Sequence, residues 1–263
     1  MKRIFLTGAS SGIGLAIARA LIQNGHEVWG TSRRTERIPA LLGMHAVALD
    51  LADRESLGAT FRSASREAGE FDVVINNAGS GYFGRAESLS SEELARHFQV
   101  LVFGQIELMH LALEAMKGRP RGLVINVTSL ASRLPVPFMA AYNAAKAALA
   151  SYTMSMQLEL GNGPVRLVDL QPADINTSFN DAVARAESND PRVEQTWQAV
   201  DRNMKNAPPP DLVARAVLKL IAQDNPPPRI TVGDTFQSGV APLVFRLLPQ
   251  RVRLWGLKKY YGI

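Results

Sequence analysis

Ser129, Tyr142 and Lys146 have the residue types and the spacing for proton transfer at an oxygen atom. Tyr142 and Lys146 are four positions apart, which puts both on one face of a helix, one turn from each other. A phenol with its ordinary pKa near 10 is a slow proton shuttle at neutral pH. A nearby ammonium favours the phenolate, and lowering the pKa by ~3 units corresponds to about 4 kcal/mol of differential interaction. Lys146 is expected to supply part of that, with a second positive group supplying the rest. Ser129 ends a strand-like run, 122–128, and would hydrogen-bond the substrate oxygen while Tyr142 gives or takes its proton. Tyr-x-x-x-Lys is frequent on amphipathic helices, so the triplet gains meaning only from what surrounds it.

The surroundings point to a dinucleotide. The apolar run 3–7 leads into Thr7-Gly8-Ala9-Ser10-Ser11-Gly12-Ile13-Gly14, and a helical pattern begins at once. Glycines at Gly8, Gly12 and Gly14 permit a tight turn and close backbone approach. The helix N-terminus behind them offers free N–H groups and partial positive charge to a pyrophosphate, to which Ser10, Ser11 and Ile13 are adjacent. The next strand-like run ends in Ser32-Arg33-Arg34. An acid at that point binds the ribose 2′-hydroxyl of NAD, whereas guanidinium groups pair with the 2′-phosphate of NADP. Arg33 and Arg34 therefore predict NADP(H), with NAD(H) disfavoured. A nicotinamide would carry the hydride and supply the second positive group beside Tyr142.

These residues need a frame. Short Val-, Ile- and Leu-rich runs at 3–7, 27–31, 45–49, 72–75, 122–128, 165–170 and 229–233 read as strands buried on both faces. They alternate with helical patterns near 12–24, 54–68, 91–117, 140–160 and 211–223. Such alternation predicts an α/β fold with a single Rossmann-type doubly wound parallel sheet of about seven strands, helices on both faces, forming one domain over 1–263. The polar stretch 176–210 reads as an insertion with short helices. The chain has no cysteine, which excludes thiolate and disulfide chemistry, and no histidine pair at metal-ligand spacing. No signal peptide and no apolar run of membrane-spanning length is read, so a cytoplasmic location is expected.

With these motifs the sequence resembles the short-chain dehydrogenase/reductase family over nearly its whole length. The resemblance rests on the glycine turn, Asp50, Asn76-Asn77-Ala78-Gly79 after a strand, Ser129, the Tyr142–Lys146 pair, and Pro172, Ile175 and Thr177. It implies that Asp50 and Leu51 face the adenine, that Asn76, Ala78 and Gly79 line the cofactor, and that Lys146 also binds the nicotinamide ribose. It implies a contact of Pro172, Ile175 and Thr177 with the nicotinamide, a mobile lid at 176–210, and a homodimer or homotetramer built on the two long helices. The sequence departs from the family twice. Ala173 stands where a glycine is usual, and Leu101 stands where the family has an Asn that holds a proton-relaying water. Gln105, one turn further, is a weak replacement. Leu101 is the one feature favouring the alternative of a non-catalytic NADP-binding sensor or assembly protein.

Phe83, Leu134, Phe138 and Phe179 are the residues expected to face the substrate, which favours an apolar ketone, aldehyde or secondary alcohol over a sugar. Leu247-Leu248-Pro249 is similar to the steroid- and retinol-dehydrogenase-like branch, which is broad. The charge of +5 comes entirely from Arg246, Arg251, Arg253, Lys258 and Lys259, with no acid after Asp234. The remainder is neutral, which argues against a nucleic-acid partner. The apolar, basic segment 235–263 has three readings: packing on the body or a partner subunit, which the pattern favours; peripheral contact with a membrane; or closure of an apolar pocket. Pro249 divides any helix there in two.

Overall fold

The computed structural model describes residues 1–263 and has the expected seven-stranded sheet. Its strands are β1 (Arg3–Leu6), β2 (Glu27–Ser32), β3 (Met44–Ala48), β4 (Val73–Asn76), β6 (Gly122–Val127), β7 (Val165–Pro172) and β9 (Arg229–Val232). All pairings are parallel, in the order β3-β2-β1-β4-β6-β7-β9. The chain winds outward from β1 to β3 and then crosses back to β4 beside β1. That reversal opens a crevice beyond the carboxyl ends of β1 and β4, the place where ligands bind in such sheets.

The strands read as unbroken apolar runs because both faces are covered. Ile4, Leu6, Val73, Ile75, Leu123 and Ile125 point into one core, which includes α1 (Gly12–Gln23) and α7 (Asp211–Ala222). Phe5, Val74 and Val124 point the other way, into a core with α2 (Arg54–Ala68) and the helix pair that follows β4. Alternate residues therefore serve opposite layers, the period of a strand.

The expected single helix over 91–117 is instead α3 (Ser91–Phe98) and α4 (Gly104–Ala115), joined by a π-helical turn at Gln99–Phe103. Ser90 and Glu93 form a capping box at its start. The run 91–115 is long and apolar enough to cross a membrane, contrary to expectation. Its apolar side chains Leu101, Leu108, Met109 and Ala112 are in the core, however. The residue helix α5 (Ala140–Leu160) carries Tyr142 and Lys146.

Two strands were not foreseen. β5 (Gly81–Phe83) and β8 (Val183–Arg185) pair in parallel as a separate ribbon. Three residues are too few to show periodicity, and the partners are a hundred positions apart. In the insertion, the expected short helices are one 3-10 turn and the sixteen-residue α6 (Pro191–Asn206), N-capped by Asp190. Residues after Asp234 form a π-helical turn at Phe236–Val240, α8 (Ala241–Leu247) and α9 (Gln250–Tyr261), with the break falling at Leu248-Pro249.

Candidate active site

The glycine turn follows β1 directly. Gly8 and Gly12 have φ of +72° and +52°, a region L side chains rarely adopt. A Cβ on Gly14 would overlap the Gly8 carbonyl, and one on Gly8 would come within 2.9 Å of the Ala78 Cα. The turn is thus pressed against the loop after β4. Thr7 joins the two: its hydroxyl accepts from the N–H groups of Asn77 (2.8 Å) and Ala78 (2.9 Å), and the Asn77 amide donates back to the Thr7 carbonyl at 2.9 Å. Ser11 precedes α1 but its side chain does not cap it, so no side chain occupies the first-turn N–H groups.

Asn76, implied to line the cofactor, lies beneath that surface. It is fully buried, and its amide donates to the Gln105 carbonyl (3.0 Å) and the Asn126 side chain (2.9 Å). Ala78 and Gly79 are what the loop presents at the crevice. Asp50 and Leu51 follow β3; the Asp50 carboxylate accepts from Ala52 N–H at 2.9 Å, and Leu51 is buried. A Cβ on Gly104 would sit 2.6 Å from the Leu51 carbonyl oxygen, so this glycine lets α4 approach the adenine side. Arg33 and Arg34 extend from the end of β2, exposed and without an ion-pair partner in the chain.

The segment after β7 folds back over the turn. Pro172 and Ile175 are buried, and the Thr177 side chain lies 3.5 Å from where a Cβ on Gly12 would be. Ala173 is accommodated from the opposite side. A Cβ on Gly233 would approach the Ala173 Cβ to 2.5 Å, so Gly233 leaves the space that the Ala173 methyl fills.

Ser129, Tyr142 and Lys146 lie beyond the carboxyl end of β6 and on α5. Ser129 follows β6, partly exposed, with its hydroxyl accepting from Ala131 N–H at 3.0 Å. Lys146 is 3% exposed; its Nζ donates to the Val127 carbonyl at 2.9 Å and lies 5.9 Å from the Tyr142 ring centroid. Burial lowers the Lys146 pKa to about 8, opposed by the Asp169 carboxylate. Burial pushes the Tyr142 phenol up, opposed by the Ser129 hydroxyl. Within the chain itself, removal from water outweighs an ammonium about 6 Å from the ring centroid, so the lowering expected from Lys146 and a nicotinamide together is not supplied by Lys146 by itself. Leu101 occupies the pocket floor, fully buried, against Gly79 and near Lys146. The Gln105 Nε2 donates to the Ala78 carbonyl at 2.8 Å and so ties the start of α4 to the cofactor loop, while its Oε1 is buried without a partner.

Beyond Tyr142 the walls are apolar. Phe83, Met139, Val183 and Val193 form a buried cluster with Phe138, Phe179, Trp197 and Tyr142 at its margin. Phe83 meets Trp197 edge-on at 4.9 Å, and the Tyr142 and Phe179 rings are 5.9 Å apart. Of the expected substrate-facing residues, Phe138 and Phe179 are partly exposed in this cluster, Phe83 is fully buried behind them and so does not face a substrate, and Leu134 stays outside. Val193, Trp197 and Val200 were missed, although their i, i+4, i+7 spacing on α6 was a readable signal. Phe138 has φ of +61°, uncommon for a non-glycine residue, and its carbonyl accepts from Gly84 N–H at 2.9 Å.

A nicotinamide dinucleotide fits these residues: the glycine cradle has no room for a Cβ, the helix N-terminus is uncapped by its serine, and two guanidinium groups are free at the ribose end. Such a cofactor supplies or accepts the hydride. Next to that position the chain offers the Ser129 hydroxyl, the Tyr142 hydroxyl and the buried Lys146 side chain.

The family model for short chain dehydrogenases matches residues 2–188. A 3-ketodihydrosphingosine reductase of Bacteroides thetaiotaomicron is 29% identical over 99% of this chain and 98% of its own. A short-chain dehydrogenase of Streptomyces avermitilis superposes with a TM-score of 0.84 at 28% identity, covering 98% of this chain and 96% of that one. An alcohol dehydrogenase of Thermococcus sibiricus, solved with 5-hydroxy-NADP, gives a TM-score of 0.73 at 26% identity over 90% and 97% of the two chains. With Ser129, Tyr142 and Lys146 assembled at the end of the sheet, the chain belongs to the short-chain dehydrogenase/reductase family, oxidoreductases that interconvert CH–OH and C=O groups.

Proposed function

We propose that this enzyme uses NADP(H) to interconvert an apolar ketone or aldehyde and the corresponding alcohol. The observation that carries the substrate class is the aromatic face beside Tyr142, made of Phe138, Phe179 and Trp197 and backed by the buried Phe83 and Met139. A sugar or other polyol would leave hydroxyl groups unpaired against those walls, at a cost of roughly 1–3 kcal/mol each. The cofactor choice is supported by the unpaired Arg33 and Arg34 and by the NADP analogue in the Thermococcus relative.

For reduction, the substrate oxygen lies against the Ser129 and Tyr142 hydroxyls. With hydride supplied by the bound cofactor, the C–O π pair would become an oxygen lone pair and the Tyr142 hydroxyl would give that oxygen its proton. The buried ammonium of Lys146 then stabilises the phenolate left behind. Stopped assays of NADPH oxidation with a panel of aliphatic, aromatic and polyhydroxylated carbonyls test the proposal. Turnover confined to polyhydroxylated carbonyls, or a preference for NADH, would contradict it. The exposed Phe103, Met154 and Leu158 lie on the two long helices and support pairing of two copies there.

A further inference from the structure

Residues 236–260 break the burial pattern of the rest of the chain. Phe236, Val240, Leu243, Val244 and Leu247 recur at i, i+4, i+7, i+8 and i+11, so they share one face of the helical run that ends with α8. All five are exposed, Leu247 at 77%. On α9, Leu254 and Trp255 are exposed as well, Trp255 at 63%. This corrects the reading that the apolar side of the segment packs on the body.

The segment is nevertheless anchored. Pro242 and Tyr261 are buried. Gln237 donates to the Asp174 carboxylate at 2.7 Å and to the Tyr260 hydroxyl at 3.1 Å, and its side-chain carbonyl accepts from Asp174 N–H. α9 packs against α6, the helix that carries Trp197. The exposed apolar face is therefore held in place by contacts on its other side.

Charge selects its occupant. Arg246, Arg251, Arg253, Lys258 and Lys259 lie in the same segment, none pairs with an acid, and the segment contains no acid. A second copy docked face to face would set five cations against five, and the body of the chain is neutral and offers no net counter-charge. An anionic, partly apolar surface meets both demands, since acyl chains accept the leucines and Trp255 while lipid phosphates take the Arg and Lys groups.

We propose that the face formed by residues 236–259 docks on an anionic lipid bilayer, with Leu243, Leu247 and Trp255 in the headgroup–acyl boundary. The proposal stands on this surface alone. That an apolar substrate would reach the site from the bilayer, past α6, rests additionally on the carbonyl-reductase reading.

The test uses the full chain and vesicles of phosphatidylcholine alone or mixed with phosphatidylglycerol, read by co-sedimentation at low and high salt. Binding to the anionic vesicles that weakens with salt is expected. The triple variant Arg251→Gln, Lys258→Gln, Lys259→Gln should weaken binding about a hundredfold, each cation contributing about fivefold near an anionic surface. Leu243→Ser with Leu247→Ser should weaken it while retaining salt sensitivity, with thermal melting and NADPH binding reporting that both variants are folded. Should a variant not fold, brominated lipid in the vesicle provides the second measurement on the wild type. It should quench the wild type more than Trp255→Phe, which keeps the buried Trp29 and the partly exposed Trp197. Absence of binding to anionic vesicles at low salt overturns the proposal, as does absence of quenching. So does a leucine variant that changes the oligomeric state and leaves vesicle binding intact, which would make the face a subunit interface.

Discussion

The two halves of the active-site crevice are built by different physics. On the cofactor side the surface is backbone: glycines without room for a Cβ, helix N–H groups, and the Thr7–Asn77–Ala78 hydrogen bonds that join two loops. On the substrate side the surface is side chain, an aromatic cluster gathered from β5, the approach to α5, the short ribbon and α6. A backbone cradle tolerates almost no substitution but is nearly independent of side-chain identity. A side-chain wall reshapes with each substitution at little cost to the fold. The first half thus commits the protein to a dinucleotide, and the second carries the choice among carbonyls.

The largest expected effect lies at the seam between them. Tyr142→Phe removes the proton donor and little else, so kcat should fall by about a thousandfold or more, equivalent to ~4 kcal/mol, with NADPH affinity nearly unchanged. Retention of a tenth of wild-type turnover would remove Tyr142 from its role.

Lys146 separates function from stability. Its pKa of about 8 lies below the ordinary 10.5. The unfolded state therefore binds the proton more tightly, and the native state is penalised wherever Lys146 is charged. The penalty is full below about pH 8 and is relieved as pH rises toward 10.5. Lys146→Met should abolish turnover yet melt no lower than wild type at pH 7, with up to ~3 kcal/mol at stake before the lost bond to Val127 is discounted. The gap should narrow between pH 8 and 10.5 in melting curves. A less stable variant at pH 7 would show that the Val127 bond outweighs desolvation.

On the cofactor side, Arg33→Ala with Arg34→Ala should weaken NADPH by roughly 2–4 kcal/mol and leave NADH alone, measured by titration of cofactor fluorescence. Equal losses for both cofactors would mean that the arginines do not read the 2′-phosphate. On the substrate side, Trp197→Ala should raise KM for apolar carbonyls by about tenfold, because a large apolar surface is lost, and leave NADPH binding untouched. Loss of cofactor affinity there would break the division between the halves.

The smallest effect is expected at Leu101→Asn. The π-helical turn is already present with leucine, so any gain is confined to proton delivery and should appear as a broader pH–rate profile. A folded variant with an unchanged profile would indicate that the floor has repacked around leucine.

What was legible in the sequence was whatever local covalent patterning dictates. The seven main strands and the five expected helical regions follow from runs whose periodicity repeats within ten to twenty residues. The glycine turn, Ser129, Tyr142 and Lys146 were visible because each sits at a fixed offset from such a run. What only the tertiary structure decided depends on distant pairs. Pairing of β5 with β8, the close approach of Ala173 to Gly233, inward rotation of Asn76 onto Asn126, and Gln105 reaching Ala78 all join residues that no local pattern relates. The same holds for charge. The spacing of Tyr142 and Lys146 announced that an ammonium would stand near a phenol, but the sign of the phenol's shift was set by burial, which is a property of the assembled core and not of any segment.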